Sequence, residues 1–181
     1  MKITTALEKK AVTYEVAGTV SVRGSAARPI RLRPLYLMVC KENEKWELIQ
    51  TRSVLVVFAK LFGFASGSLA PFSVKKNGET IGAGYKKNGE CHFSFQLDGV
   101  PYEIEAEKDD VFTVKEADVP IASIKKAPFV ASGRKEYDID ICEDAMSVIT
   151  KLLLFVMLID CTLYTDQTHF SAFRWEKTIN I

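Results

Sequence analysis

The chain has 181 residues, 48% of them hydrophobic, with 24 basic and 23 acidic side chains. That length fits a single domain, residues 1–181, with a sizeable core. Charges this evenly matched exclude nucleic-acid binding driven by net charge.

The opening segment MKITTALEKK lacks the apolar stretch of a secretory signal, so export is not expected. The cysteines, Cys40, Cys91, Cys142 and Cys161, are scattered with no pair at CxxC or zinc-finger spacing. They read as buried, reduced thiols of a cytosolic protein. Residues 1–34 carry seven basic and two acidic side chains, including Arg23, Arg28, Arg31 and Arg33. Val12, Tyr14 and Val16 alternate with polar neighbours as in a half-buried strand. Leu35–Cys40 and Trp46–Gln50 flank the polar turn Lys41–Lys45 like the arms of a hairpin. The run 53–64, SVLVVFAKLFGF, suits either a short helix or a buried strand; a strand bending at Gly63 is the expectation.

Three dipeptides punctuate the middle of the chain: Asn77-Gly78, Asn88-Gly89 and Asp98-Gly99. Each supplies the positive φ angles of a type I′ turn, so together they describe an antiparallel meander. A repeat lies within it. Phe72-Ser73-Val74-Lys75 precedes Ile81-Gly82 at the spacing at which Phe112-Thr113-Val114-Lys115 precedes Ile121-Ala122, and the two units are 40 residues apart. Each unit reads as a strand, a tight turn and a returning strand. Residues 103–118 are acidic, with seven carboxylates against two lysines, which reads as solvated strand faces and turns. Arg134–Ile141 alternates again. Ten to twelve strands are expected in all.

The segment Ala145–Tyr164 is apolar on every side, and a helix over about 143–164 must therefore be surrounded by lipid or by protein. Asp140 is placed to cap it, with Glu143 three residues on. A helix of about 20 residues is on the order of 30 Å long and could span a bilayer. However, Lys151 and Asp160 leave only eight uninterrupted apolar residues, Leu152–Ile159, and each charge near a bilayer centre costs about 2.5–3.5 kcal/mol. Many short antiparallel strands need closure to remove their edges, and a closed barrel of that size is too wide for its own side chains to fill. The expected fold is therefore mainly β, a closed antiparallel barrel of about twelve strands around a central C-terminal helix, and not an integral membrane protein. The tail HFSAFRWEK suggests an added strand over about 168–177.

Asp138-Ile139-Asp140-Ile141 ahead of the apolar helix, Leu158-Ile159-Asp160 within it and the Asn-Gly and Asp-Gly meander resemble the tubby C-terminal-like superfamily. That group includes the LURP-one-related proteins and the phospholipid scramblases. The resemblance covers about 70–164. It implies a twelve-stranded barrel threaded by a hydrophobic helix, and, by analogy with tubby-like proteins, a basic pocket for phosphoinositides. The chain has a longer interval between Asp140 and the Leu-Ile-Asp motif than scramblases suggest, and neither a cysteine cluster nor a proline-rich arm, so scramblase activity is not carried over.

No nucleophile–base or metal constellation is evident, and no enzymatic activity, cofactor or metal is expected. His92 and His169 lie in strand-like runs without a ligand partner at local spacing. Cys91 and His92, adjacent in a strand, point to opposite faces. Gly82-Ala83-Gly84 reads as small strand residues and Asp109-Asp110 as a solvated turn. Asp138 and Asp140 share a strand face that could take a cation, although capping explains Asp140 more simply. The candidate ligand-binding residues are basic: Lys86, Lys87, Lys125, Lys126, Arg31 and Arg33. They would form an anion site if hairpin ends gather them; otherwise lysines at strand ends discourage sheet aggregation. Two functions stay open, a cytoplasmic module for anionic phospholipid headgroups, peripheral at the membrane, or a protein-interaction scaffold without a small ligand.

Overall fold

A computed structural model describes residues 1–7, 11–18, 22–27, 35–51, 71–86, 92–107, 110–127, 135–142 and 148–163. The strands are β1 (Lys2–Leu7), β2 (Ala11–Val16), β3 (Val22–Ala27), β4 (Tyr36–Lys41), β5 (Glu44–Gln50) and β6 (Phe72–Lys76). They continue with β7 (Glu79–Lys86), β8 (His92–Leu97), β9 (Val100–Ala106), β10 (Val111–Glu116), β11 (Val119–Lys126) and β12 (Glu136–Ile141), followed by the helix α1 (Ile149–Leu163). Every strand pairs antiparallel with its sequence neighbours, and β12 pairs with β1, so the sheet closes. Among the described strands closure leaves no edge for another chain to extend.

Alternation along the strands decides which side faces in. Tyr14, Leu37, Val39, Leu48, Val74, Phe93, Ile104, Val114 and Ile124 are buried inside, while their neighbours Glu15, Glu47, Lys75, Glu103 and Lys125 face outward. This apolar-in, polar-out order is the reverse of a membrane-spanning barrel. The helix fills the lumen. Residues Leu152 to Ile159 are all at 0% exposure, and Phe155 packs against Phe95 and Tyr102 with ring centroids 5.5 and 5.9 Å apart. The helix lies close to the wall at Gly24 of β3, where a Cβ would collide with the Met157 sulfur. Among the described residues no helix is long and apolar enough to cross a membrane.

The tight turns form as their residues dictate. Asn77 and Gly78 have φ of +51° and +88°, and Asp98 and Gly99 have +51° and +79°, the left-handed pair of a type I′ turn. A further two-residue turn, Ala117-Asp118, the tight turn expected in the second unit of the repeat, adopts +47° and +70° without any glycine. The hairpin β4–β5 closes over Glu42 and Asn43, with Lys41 opposite Glu44, a shorter turn than the expected Lys41–Lys45. Asn88-Gly89 lies outside the described residues.

The repeat is structural. In the hairpin β6–β7, Phe72 pairs with Gly84, Val74 with Gly82, and the register then shifts so that Lys75 faces Thr80. In β10–β11, Phe112 pairs with Ile124, Val114 with Ala122, and Lys115 with Pro120 after the same shift. The extra residue of each bulge is Ile81 or Ile121, the isoleucine of the repeated pattern. A bulge adds a residue to one strand and sharpens its bend, so both units curve the wall alike.

Two expectations need correction at the helix. Asp140 is a ladder residue of β12, paired with Ser123, and α1 begins only at Ile149. It therefore does not cap α1; the alternation of β12 runs on through Ile141 and holds Asp140 in extended backbone. Residues 143–147 and 164, the expected strand over about 168–177, and the run 53–64 lie outside the described residues.

Candidate functional site

The meander gives the barrel two unlike ends. At one, the strands are joined by the two-residue turns 42–43, 77–78, 98–99 and 117–118. At the other lie the ends of β7 and β11, the start of β12 and the C-terminal half of α1. Strand polarity alone thus separates the described lysines. Lys75 and Lys76 fall at the tight-turn end, where Lys76 pairs with Glu44 at 2.8 Å and stands over the Trp46 ring at 5.4 Å. Lys86, Lys125 and Lys126 fall at the other end.

Parity then decides where those lysines point. Lys86 sits opposite the inward Phe93, and its ammonium lies 5.7 Å from the centre of that ring. Lys126 continues the inward series Ala122, Ile124 and sits opposite the buried Tyr137. Lys125 is exposed on the outer wall, opposite Asp138. Lys86 and Lys126 are four strands apart, on the order of 19 Å along the wall at ~4.8 Å per strand. They are on one rim but do not touch. Arg31, Arg33 and Lys87 lie outside the described residues.

Below this rim is a buried polar cluster that sequence inspection did not assemble. Asp160 of α1 is 3% exposed. It accepts hydrogen bonds from the Tyr14 and Tyr137 hydroxyls, each at 2.6 Å, and from the Lys135 ammonium at 2.5 Å. The Cys161 sulfur lies 3.5 Å from the same Tyr14 hydroxyl. The carboxylate thus ties the helix to β2, to β12 and to the residue before β12. A sequence signal did exist. Tyr14 and Tyr137 each occupy the inward parity of an apolar strand, and a buried phenol needs a polar partner.

Burial governs the chemistry of these groups. It raises the Tyr14 phenol well above its ordinary value, with the neighbouring Cys161 and Asp160 adding to the shift. It pushes the Cys161 thiol up to about 12, which makes it a poor nucleophile at neutral pH. Burial also pulls the Lys126 ammonium below its ordinary value, and the positive charge of Lys135 adds to that. The negative charges of Asp110 and Asp160 oppose that shift, and the Lys135 ammonium is itself bonded to Asp160.

At the tight-turn end, Lys151 reaches out of the lumen. Its ammonium bonds the Tyr102 hydroxyl at 2.5 Å and stands 4.7 Å from that ring's centre, while Tyr102 in turn donates to Glu116. Both charges of the otherwise apolar helix thus end on tyrosines of the wall, one at each end.

On the outer wall His92 meets partners that local spacing could not reveal. The strands β8 and β9 bring its Nε2 to 3.5 Å from Glu103 and 3.9 Å from Glu105. Cys161 is buried as expected, whereas Cys40, on the outward parity of β4, and Cys142, just past β12, are exposed; His169, Cys91 and Asp109 lie outside the described residues. Asp138 and Asp140 are both exposed on β12.

Comparison with protein-family models, with curated proteins and with solved structures finds no match to this chain. The class defined by the fold is a closed twelve-stranded antiparallel barrel plugged by its C-terminal helix.

Proposed function

We propose that this protein is a non-enzymatic binding module, cytoplasmic and peripheral at a membrane, that takes an anionic headgroup such as that of a phosphoinositide at the rim beside the helix C-terminus. The observation that carries the reading is the placement of Lys86, Lys125, Lys126 and Lys135 at one end, with Lys86 and Lys126 turned inward at the rim and Lys135 paired inside with Asp160. The resemblance to the tubby C-terminal-like superfamily supports it, since a helix-threaded barrel is the architecture that resemblance implies. The stiff wall would hold the lysines in place without a ligand, which limits the ordering cost of binding.

Each lysine near an anionic surface contributes about 1 kcal/mol, and the attraction fades within a Debye length of about 10 Å at 0.1 M salt. Flotation with phosphoinositide-containing liposomes at low salt should recover the wild type, and added salt should release it. Charge reversal at Lys86, Lys125 and Lys126 should reduce flotation, whereas reversal at Lys75 and Lys76, at the far end, should not. Wild type remaining in the soluble fraction would remove the lipid reading and leave the protein-interaction scaffold as the function to pursue.

A further inference from the structure

We propose that His92, Glu103 and Glu105 form a binding site for one divalent transition-metal ion, zinc by the nature of the donors, on the outer wall of the barrel. His92 lies directly opposite Glu105 in the β8–β9 ladder, and Glu103, two residues back on β9, shares the outward face. One donor atom from each of the three side chains comes within 4.8 Å of the other two. The closest approach is 3.5 Å, from His92 Nε2 to Glu103 Oε2, and the Glu105 oxygen is 3.9 Å from the same nitrogen. Zinc bonds of about 2.0–2.1 Å in a tetrahedral site set neighbouring donors roughly 3.4 Å apart. The two imidazole–carboxylate distances thus need to shorten by about 0.1 and 0.5 Å, and the two carboxylates, within 4.8 Å of each other, by up to about 1.4 Å. The carboxylates have the freedom to make these shifts, at 31% and 35% exposure, while the imidazole is held at 12%.

The donor set selects the ion. One imidazole and two carboxylates suit zinc and its first-row neighbours, with a fourth position for water, whereas magnesium and calcium take oxygen donors. All three ligands stand on paired strands, which fixes their separation better than a loop would. Lys115 is the resident competitor. Its ammonium lies 2.7 Å from Glu105, so an entering metal must share that carboxylate with it or displace it.

The test is calorimetric titration of ZnCl2 into the full chain with its thiols alkylated, each variant being checked for fold by circular dichroism. One zinc per chain should bind to the wild type. His92→Gln and Glu103→Gln should each weaken binding about tenfold or more, and Lys115→Met should tighten it by freeing Glu105. That last gain is expected only if the metal uses Glu105. Failure of the wild type to bind, affinity unmoved by both ligand substitutions, affinity lost on His169→Gln, or magnesium bound as tightly as zinc would each overturn the proposal. If His92→Gln does not fold, Glu103→Gln and Lys115→Met decide it by their opposite signs.

Discussion

Asp160 sits in the run that otherwise fills the lumen with hydrocarbon, and an isolated carboxylate there would cost several kcal/mol. Tyr14, Tyr137 and Lys135 make it tolerable by supplying three donors. A buried pair of this kind is weak evidence of net stabilisation, yet removing one partner strands the others. Asp160→Ala should therefore cost about 3–5 kcal/mol of a total on the order of 5–15, read from the urea midpoint. Asp160→Asn should cost less, since the amide oxygen can still accept from Tyr137 and Lys135 while the amide nitrogen donates to a rotated Tyr14 hydroxyl. The neighbouring thiol gives a pH signature. Cys161 holds its proton up to about pH 12 when folded, against an ordinary value of 9.0. Above pH 9 the unfolded chain therefore binds fewer protons than the folded one. The stabilisation from the buried thiol is complete below about pH 9 and lost as pH rises toward 12. Tyr14, also raised, acts in the same direction. Thermal midpoints should fall across that alkaline window, and Cys161→Ser should flatten the first part of the fall.

The elements were the most legible part of the sequence, because each carried its own local signal. Alternation marked the strands, Asn77-Gly78 and Asp98-Gly99 marked two turns, and the repeated Phe-Ser/Thr-Val-Lys pattern marked two hairpins that share a bulge at Ile81 and Ile121. The turn Ala117-Asp118 was marked only by the repeat and by no turn dipeptide of its own, because alanine seldom adopts positive φ. It does so here at +47°, and a left-handed alanine costs about 1–2 kcal/mol. Ala117→Gly should remove that strain while losing about 0.4–1 kcal/mol through the freer unfolded chain. A net gain of order 0.5–1 kcal/mol is expected, or a few degrees in the thermal midpoint. Asp118, whose type tolerates such angles, should gain less from the same change. The helix start was misread for an equally physical reason. Asp140 and Glu143 have capping-box spacing, but the alternation of β12 keeps Asp140 extended, and tertiary pairing overrides the local motif.

For the whole molecule, closure could be anticipated because many short strands and one all-round apolar helix each need the other. The end-to-end asymmetry needed more, since an antiparallel meander sorts residues to one end or the other only once the bounds of every strand are known. Once known, it sorts Lys75 and Lys76 from Lys86, Lys125 and Lys126 without further information. Contacts made across the ladder and through the lumen also escaped sequence inspection. His92 reaches Glu103 and Glu105 only across β8 and β9, and Tyr14 reaches Asp160 only because the helix threads the lumen. The site's residues were named from charge, but their arrangement was a property of the barrel.

The seam between β1 and β12 sets the tempo of folding. Ile3 must find Tyr137, and Lys2 must find Asp138, after every intervening hairpin has offered easier, more local pairings. Hairpins form in about 1–10 μs, whereas topologies dominated by distant pairings complete in milliseconds to seconds. During that delay both open borders of the sheet and the apolar helix are exposed together, and association with other unfinished chains competes with closure. Refolding yield should therefore fall as protein concentration rises, while the late phase in stopped-flow fluorescence should keep a concentration-independent rate. A substitution that weakens only the seam, such as Ile3→Ala, should slow that late phase if the seam is already formed at the barrier, and should otherwise hasten unfolding.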